Sequence, residues 1–191
     1  MKKAFVLVGC LVAIATVRGD IIPSFIGTSP GTGTNTVWGY QINITTEQQV
    51  TTGDFFTIYD FGPFIAGTNV QPSNWTFSSS LTTAPPTGVN PPDDPTLQNL
   101  TWTYTGVATI PSSTNLGPFS VTVATTQFQE VPQTRSGYFA AQATRASPPN
   151  GTKISNIGRI PVPVAIPEPA TLSLLLLGGA GAAIRAFRRR S

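Results

Sequence analysis

Histidine is absent from this sequence, and cysteine occurs once, at Cys10. Without imidazole, His-based zinc sites, Ser-His-Asp arrangements and Cys-His pairs are all excluded. Cys10 sits in the leading apolar stretch, so the chain after it has no thiol, no disulfide and no thiolate metal ligand. Charged residues are also scarce, at 10% of the chain, and their placement therefore matters more than their sum. Lys2, Lys3 and Arg18 lie at the start, and Arg185, Arg188, Arg189 and Arg190 at the end. Between Asp20 and Ile166 seven acids stand against four bases, a net charge of −3. The pI of about 9.4 thus comes from the two ends. A nucleic-acid-binding domain needs a basic face, and this body has none to offer.

What is present at the ends reads as a pair of addresses. The start, MKKAFVLVGCLVAIATVRGD, has a basic n-region at Lys2 and Lys3 and an apolar h-region from Ala4 to Val17. That pattern is a secretory signal peptide. Cleavage fits after Ala15, by the Ala13-Ile14-Ala15 pattern, or after Gly19. The second site uses the whole apolar run and bounds the signal peptide at 1–19. Leu7-Val8-Gly9-Cys10 resembles a lipoprotein box, but the apolar run continues past Cys10, which argues against lipidation there.

At the far end, Ala170 to Ile184 (ATLSLLLLGGAGAAI) is apolar and small. Its core is Leu174, Leu175, Leu176 and Leu177, followed by Gly178 and Gly179. As a helix, fifteen residues at ~1.5 Å each reach about 22 Å, short of the ~30 Å hydrocarbon core. The segment crosses if its flanks contribute and the arginines snorkel. Glu168 stands on one side and Arg185, Arg188, Arg189 and Arg190 on the other, so the positive-inside rule keeps the arginines cytoplasmic and the body outside.

Pro167-Glu168-Pro169-Ala170, then a short Leu/Gly/Ala-rich span, then terminal arginines, resembles the PEP-CTERM protein-sorting signal. The likeness covers only the tail but keeps all three parts in order. It implies a bacterial envelope protein from a lineage that makes exopolysaccharide, processed at its tail by an integral-membrane exosortase. The chain would be that enzyme's substrate. Two prolines stiffen the handle and withhold backbone donors, while Glu168 supplies one fixed charge.

The body, 20–159, consists of short alternating runs divided by Pro, Gly, Asn and Ser. Trp38–Ile44, Trp75–Leu81, Leu100–Tyr104 and Phe119–Val123 alternate, Phe55–Phe61 is apolar on both sides, and Tyr138–Ala143 completes the set. These runs predict an all-β antiparallel β-sandwich of about 6–8 strands. Thr82–Pro95 (TTAPPTGVNPPDDP) is a Pro-rich loop that cannot pair in a sheet. Residues 160–166, running into the handle as IPVPVAIPEP, predict an extended spacer that lifts the domain off the membrane.

Candidate chemistry in the body is thin. Glu47, Asp54, Asp60, Asp93, Asp94 and Glu130 could pair for glycosidase chemistry only if two meet at ~5–10 Å, and exposed turn acids are the plainer expectation. Asp93-Asp94 could attract calcium, with a solvated Asx turn as the plainer reading. Trp38, Trp75 and Trp102 could stack on sugars, but their strand positions make them core residues first. Asn43, Asn74, Asn99 and Asn150 fall in N-x-S/T sequons, which a Thr- and Asn-rich composition produces by itself.

The sequence therefore predicts a non-enzymatic exported surface or matrix protein with no metal or cofactor. Its expected partners are the secretion translocon, the membrane, an exosortase and exopolysaccharide. A carbohydrate-binding module is the alternative, marked by exposed tryptophans. A glycosidase is a third, marked by facing carboxylates.

Overall fold

The computed structural model of the chain describes residues 20–124, 128–129 and 136–165. Among the described residues there is no helix, and eleven antiparallel strands account for the regular structure. β1 (Ile21–Pro30), β2 (Asn35–Ile44) and β7 (Thr114–Ala124) form a three-stranded sheet in the order β1-β2-β7. β4 (Phe55–Tyr59), β5 (Trp75–Ser80), β6 (Asn99–Tyr104), β9 (Ser136–Arg145) and β10 (Lys153–Pro161) form a second sheet in the order β10-β9-β4-β6-β5. The two-residue β3 (Gln48–Gln49) adds to it by pairing β9. A third pairing joins β8 (Phe128–Gln129) to β11 (Val164–Ala165).

Alternation puts one face of each main sheet into a shared core. From the smaller sheet come Trp38, Tyr40, Ile42, Ile44, Phe119 and Val121, and from the larger Phe56, Ile58, Trp75, Leu100 and Trp102. Phe119 of β7 is the hub. Its ring meets Phe56 and Trp75 edge-on at 5.1 Å and Trp102 at 5.9 Å, so one side chain from the small sheet touches three strands of the large one. Such aromatic contacts add about 0.5–1.5 kcal/mol each beyond the area they bury.

β4 lies between β9 and β6, as its continuous apolar run predicts, and its second face is covered too. Thr57 and Tyr59 are both fully buried there. Part of the cover is the Pro-rich loop. Pro86 and Pro91 are buried, and the Tyr59 hydroxyl donates to the Thr83 carbonyl at 3.5 Å. Thr82–Pro95 is unpaired as expected, yet it is packed against the fold.

Two boundaries differ from those read in the sequence. β1 and β10 are full strands of ten and nine residues that the alternation did not reveal. Both are edge strands, half exposed, and β1 carries Pro23 and Pro30, so neither shows a clean apolar face. The expected spacer 160–166 is also corrected. Ile160 and Val162 are buried core residues, Pro161 ends β10, and Val164 and Ala165 pair with β8. Proline spaced between β-branched residues suits an edge strand as well as a free extended segment, and burial decides between them.

Candidate functional site

Among the described residues, the aspartates of the body separate to the two ends of the large sheet. Asp54 is fully buried just before β4, which corrects the expectation of an exposed turn acid. Lys153, the first residue of β10, places Nζ 2.6 Å from Asp54 Oδ1. The same ammonium donates to Thr144 Oγ1 at 2.8 Å and Thr51 Oγ1 at 3.1 Å, which uses all three of its protons. Asp54 Oδ2 accepts from the Thr51 N–H at 2.8 Å, the Thr51 hydroxyl at 3.2 Å and the Thr144 hydroxyl at 2.7 Å. Every donor and acceptor is engaged within the fold, the condition under which a buried charge is tolerated. No local motif could have announced this pair, because its members are 99 residues apart.

Asp60, Asp93 and Asp94 gather at the opposite end of the large sheet, and each is occupied. Asp60 Oδ1 accepts the Asp94 N–H at 2.7 Å. Asp93 takes the Asn99 amide at 2.8 Å and the Thr83 N–H at 3.2 Å. Asp94 Oδ1 accepts from the Thr96 N–H at 2.9 Å and the Thr96 hydroxyl at 2.7 Å, an Asx turn. Among the described residues no group of three or more His, Cys, Asp or Glu could hold a metal ion. Burial pushes the neighbouring Tyr59 hydroxyl up to about 12, helped by the Asp93 charge and opposed by a bond with Thr57. Glu47 sits in a turn at φ 70°, and Glu130 lies outside the described residues.

The tryptophans are core. Trp38 and Trp75 are 5% exposed and Trp102 is fully buried, so none offers a ring face to a sugar. Of the sequon asparagines, Asn99 is fully buried and hydrogen-bonded to Asp60 and Asp93, and Asn43 donates to Asn115. Asn74 and Asn150 are exposed.

The remaining candidate is the tail, and the fold leads straight into it. The Pro161 carbonyl accepts the Tyr40 hydroxyl at 2.9 Å, which ties the end of β10 across to β2. Val162 fills the space over Gly137, where a Cβ would stand 2.7 Å from Val162 Cγ1. β11 then pairs with β8 up to Ala165. Glu168 follows three residues later, which at ~3.3–3.6 Å per residue is at most about 11 Å of chain. Against known families the outcome is specific. Residues 165–190 match the PEP-CTERM protein-sorting motif.

The PEP-CTERM match begins at the last residue of β11, Ala165, two positions before Pro167 in the chain. Such a motif implies processing by an exosortase, a membrane enzyme, and passage of the chain into the envelope. No curated protein matches the chain. Pro167, Glu168 and Pro169, the apolar run from Ala170 through Leu174, Leu175, Leu176, Leu177, Gly178 and Gly179 to Ile184, and Arg185, Arg188, Arg189 and Arg190 all lie outside the described residues. Among the described residues no helix is long and apolar enough to cross a membrane.

Proposed function

We propose that this chain is an exported, non-enzymatic structural protein of the bacterial cell surface or its exopolysaccharide matrix. In this reading a signal peptide sends it to the translocon, and Ala170–Ile184 halts in the membrane with the arginines in the cytoplasm. An exosortase then reads Pro167-Glu168-Pro169 and processes the tail. The body is a β-sandwich whose role is to persist outside the cell. The observation that carries the reading is the PEP-CTERM match over 165–190, joined directly to a folded domain. In this reading Asp54, Asp93 and the three tryptophans serve the fold itself.

The test is Glu168→Ala in a host that carries an exosortase. No core residue changes, so export and folding are expected to continue while the full-length form accumulates in the membrane fraction. The readout is the ratio of full-length to processed protein on a blot of membrane and extracellular fractions. Equal ratios for wild type and variant would remove the acid from the recognition step.

A further inference from the structure

A sheet edge offers unpaired N–H and C=O groups to any strand that reaches it, and proteins blunt such edges with proline, charge, bulges or a covering segment. The two main sheets have four edges. β1 carries Pro23 and Pro30 and breaks register between Phe25 and Gly27, and its Ile21 carbonyl accepts the Asn156 amide at 2.9 Å. β7 is covered, because Val70 exchanges two backbone bonds with Ser120 and the Ile65 N–H donates to the Thr122 carbonyl. In β10, the Arg145 N–H bond to the Thr152 carbonyl fixes the alternation. The backbone groups of odd-numbered residues then face the open side, where Pro161 offers no N–H and the charged residues Lys153 and Arg159 lie along the strand.

Among the described residues β5 has a guard only at its start, where the Gln71 amide donates to the Trp75 carbonyl at 3.5 Å. The Asn74 carbonyl accepts the Thr105 N–H at 2.7 Å, while the Tyr104 N–H turns the other way to Asp54 at 2.8 Å. Alternation therefore directs the backbone groups of Thr76, Ser78 and Ser80 at β6 and those of Phe77 and Ser79 at the open side. The strand has no charge, no proline and no register shift, and Ser78, Ser79 and Ser80 are exposed.

We propose that β5 is a self-association edge, through which two copies of this chain pair antiparallel and join their large sheets into one. A second copy is the occupant because the edge is complementary to itself. Phe77 of each copy would exchange both backbone bonds with Ser79 of the other, leaving Ser78 opposite Ser78 on the two-fold axis. Uncharged hydroxyls meet there without repulsion. The same register sets Leu81, 47% exposed, opposite Trp75 of the second copy and covers it.

The strand order adds a consequence. Each neighbour in β10-β9-β4-β6-β5 is antiparallel to the next, so β5 and β10 run the same way. Antiparallel pairing sets the C-terminal ends of the two β10 strands at opposite ends of the joined sheet. Resting here on the sorting reading above, that arrangement suits two copies that pair after release from the anchor.

The test uses the full chain in detergent, without an exosortase, so its failure is separate from any failure of the sorting reading. Cys10 is first changed to Ser. At a non-hydrogen-bonded pair the Cα atoms lie about 4.5 Å apart, within disulfide reach, so Ser78→Cys should give a covalent dimer on oxidation. Thr76→Cys lies on the same face, but the register holds its two copies about 14 Å apart along the strand, so it should cross-link at least roughly tenfold less. Ser78→Lys puts like charges on the axis and should convert the dimer to monomer in light scattering. The proposal is overturned by a monomeric wild type, by no cross-link at Ser78→Cys, by equal cross-linking at both positions, or by a dimer that survives Ser78→Lys.

Discussion

Ending the domain at Arg159 instead of Ala165 removes six residues, and the cost can be worked from their contacts. Ile160 and Val162 are 1% and 2% exposed, so both are lost from the core. Fully burying an aliphatic side chain contributes about 1.5–3 kcal/mol, hence about 3–6 kcal/mol for the pair. Tyr40, fully buried, loses the Pro161 carbonyl as acceptor, which adds about 1–3 kcal/mol for a stranded hydroxyl. The rungs Ile160–Gly137 and Pro161–Ser136 also go. Residual burial in the unfolded chain trims these figures, leaving a cost of about 5 kcal/mol. Domains of this size have only ~5–15 kcal/mol to lose. The fragment 20–165 should therefore unfold cooperatively in urea, while 20–159 is marginal or unfolded. With a urea slope of about 1–3 kcal/mol per molar, the midpoint should fall by about 2 M. All three tryptophans are buried, so their emission should report the loss directly. Midpoints agreeing within about 0.3 M would refute the assignment of 160–165 to the core.

Lys153→Met leaves the buried Asp54 carboxylate without its counter-ion. Because the Lys153 side chain is 42% exposed, water offsets part of the usual penalty, and we expect a loss of about 2 kcal/mol that 1 M salt does not abolish. In a double-mutant cycle with Asp54→Asn, coupling below about 0.5 kcal/mol would make it an ordinary surface pair. Alkaline stability follows from the tyrosines. Burial raises Tyr59 from 10.0 to about 12 and Tyr40 well above 10.0, so the fold favours their protonated forms. Stability from both groups is complete below pH 10; the Tyr59 share is lost as pH rises towards 12, and the Tyr40 share also falls as the medium becomes more alkaline. Absorbance at 295 nm should show two tyrosines ionising only as the circular dichroism collapses, and full ionisation of a still-folded protein would contradict this. Changing Arg188, Arg189 and Arg190 together to Glu should scramble topology, read as protease access to the body in intact cells. Unchanged access and membrane retention would remove the charge argument.

Legibility in the sequence followed burial. The strands around Trp38–Ile44, Phe55–Tyr59, Leu100–Tyr104 and Tyr138–Ala143 lie in sheet interiors. Trp38–Ile44 and Leu100–Tyr104 carry the period of two, and Phe55–Tyr59 and Tyr138–Ala143 the near-continuous apolar or small run of a strand buried on both faces. β1 and β10 escaped because an edge strand answers to one neighbour and to solvent, which leaves Ser24 and Ser155 free to be polar, while Gly158 must stay small beneath the Phe139 ring. Asp54 escaped for a different reason. Its partners come from Thr51, Thr144 and Lys153, so only the folded sheet assembles them. Sequence pattern sees the period of a face but not the meeting of distant elements.

The tail was legible because its information is linear. A proline-flanked acid, an apolar run and an arginine cluster act in order along the chain, whatever the body does. What the structure changes is the junction. With β11 ending at Ala165 and the motif matched from the same residue, an enzyme that reads Glu168 works within about 11 Å of a paired strand. A free spacer would have let the membrane enzyme act on the handle independently of the domain. Here the last strand ends two positions before Pro167, so a cut upstream of Ala165 would take residues from the sheet. A cut at or beyond the prolines leaves the core whole, which the function proposed above requires.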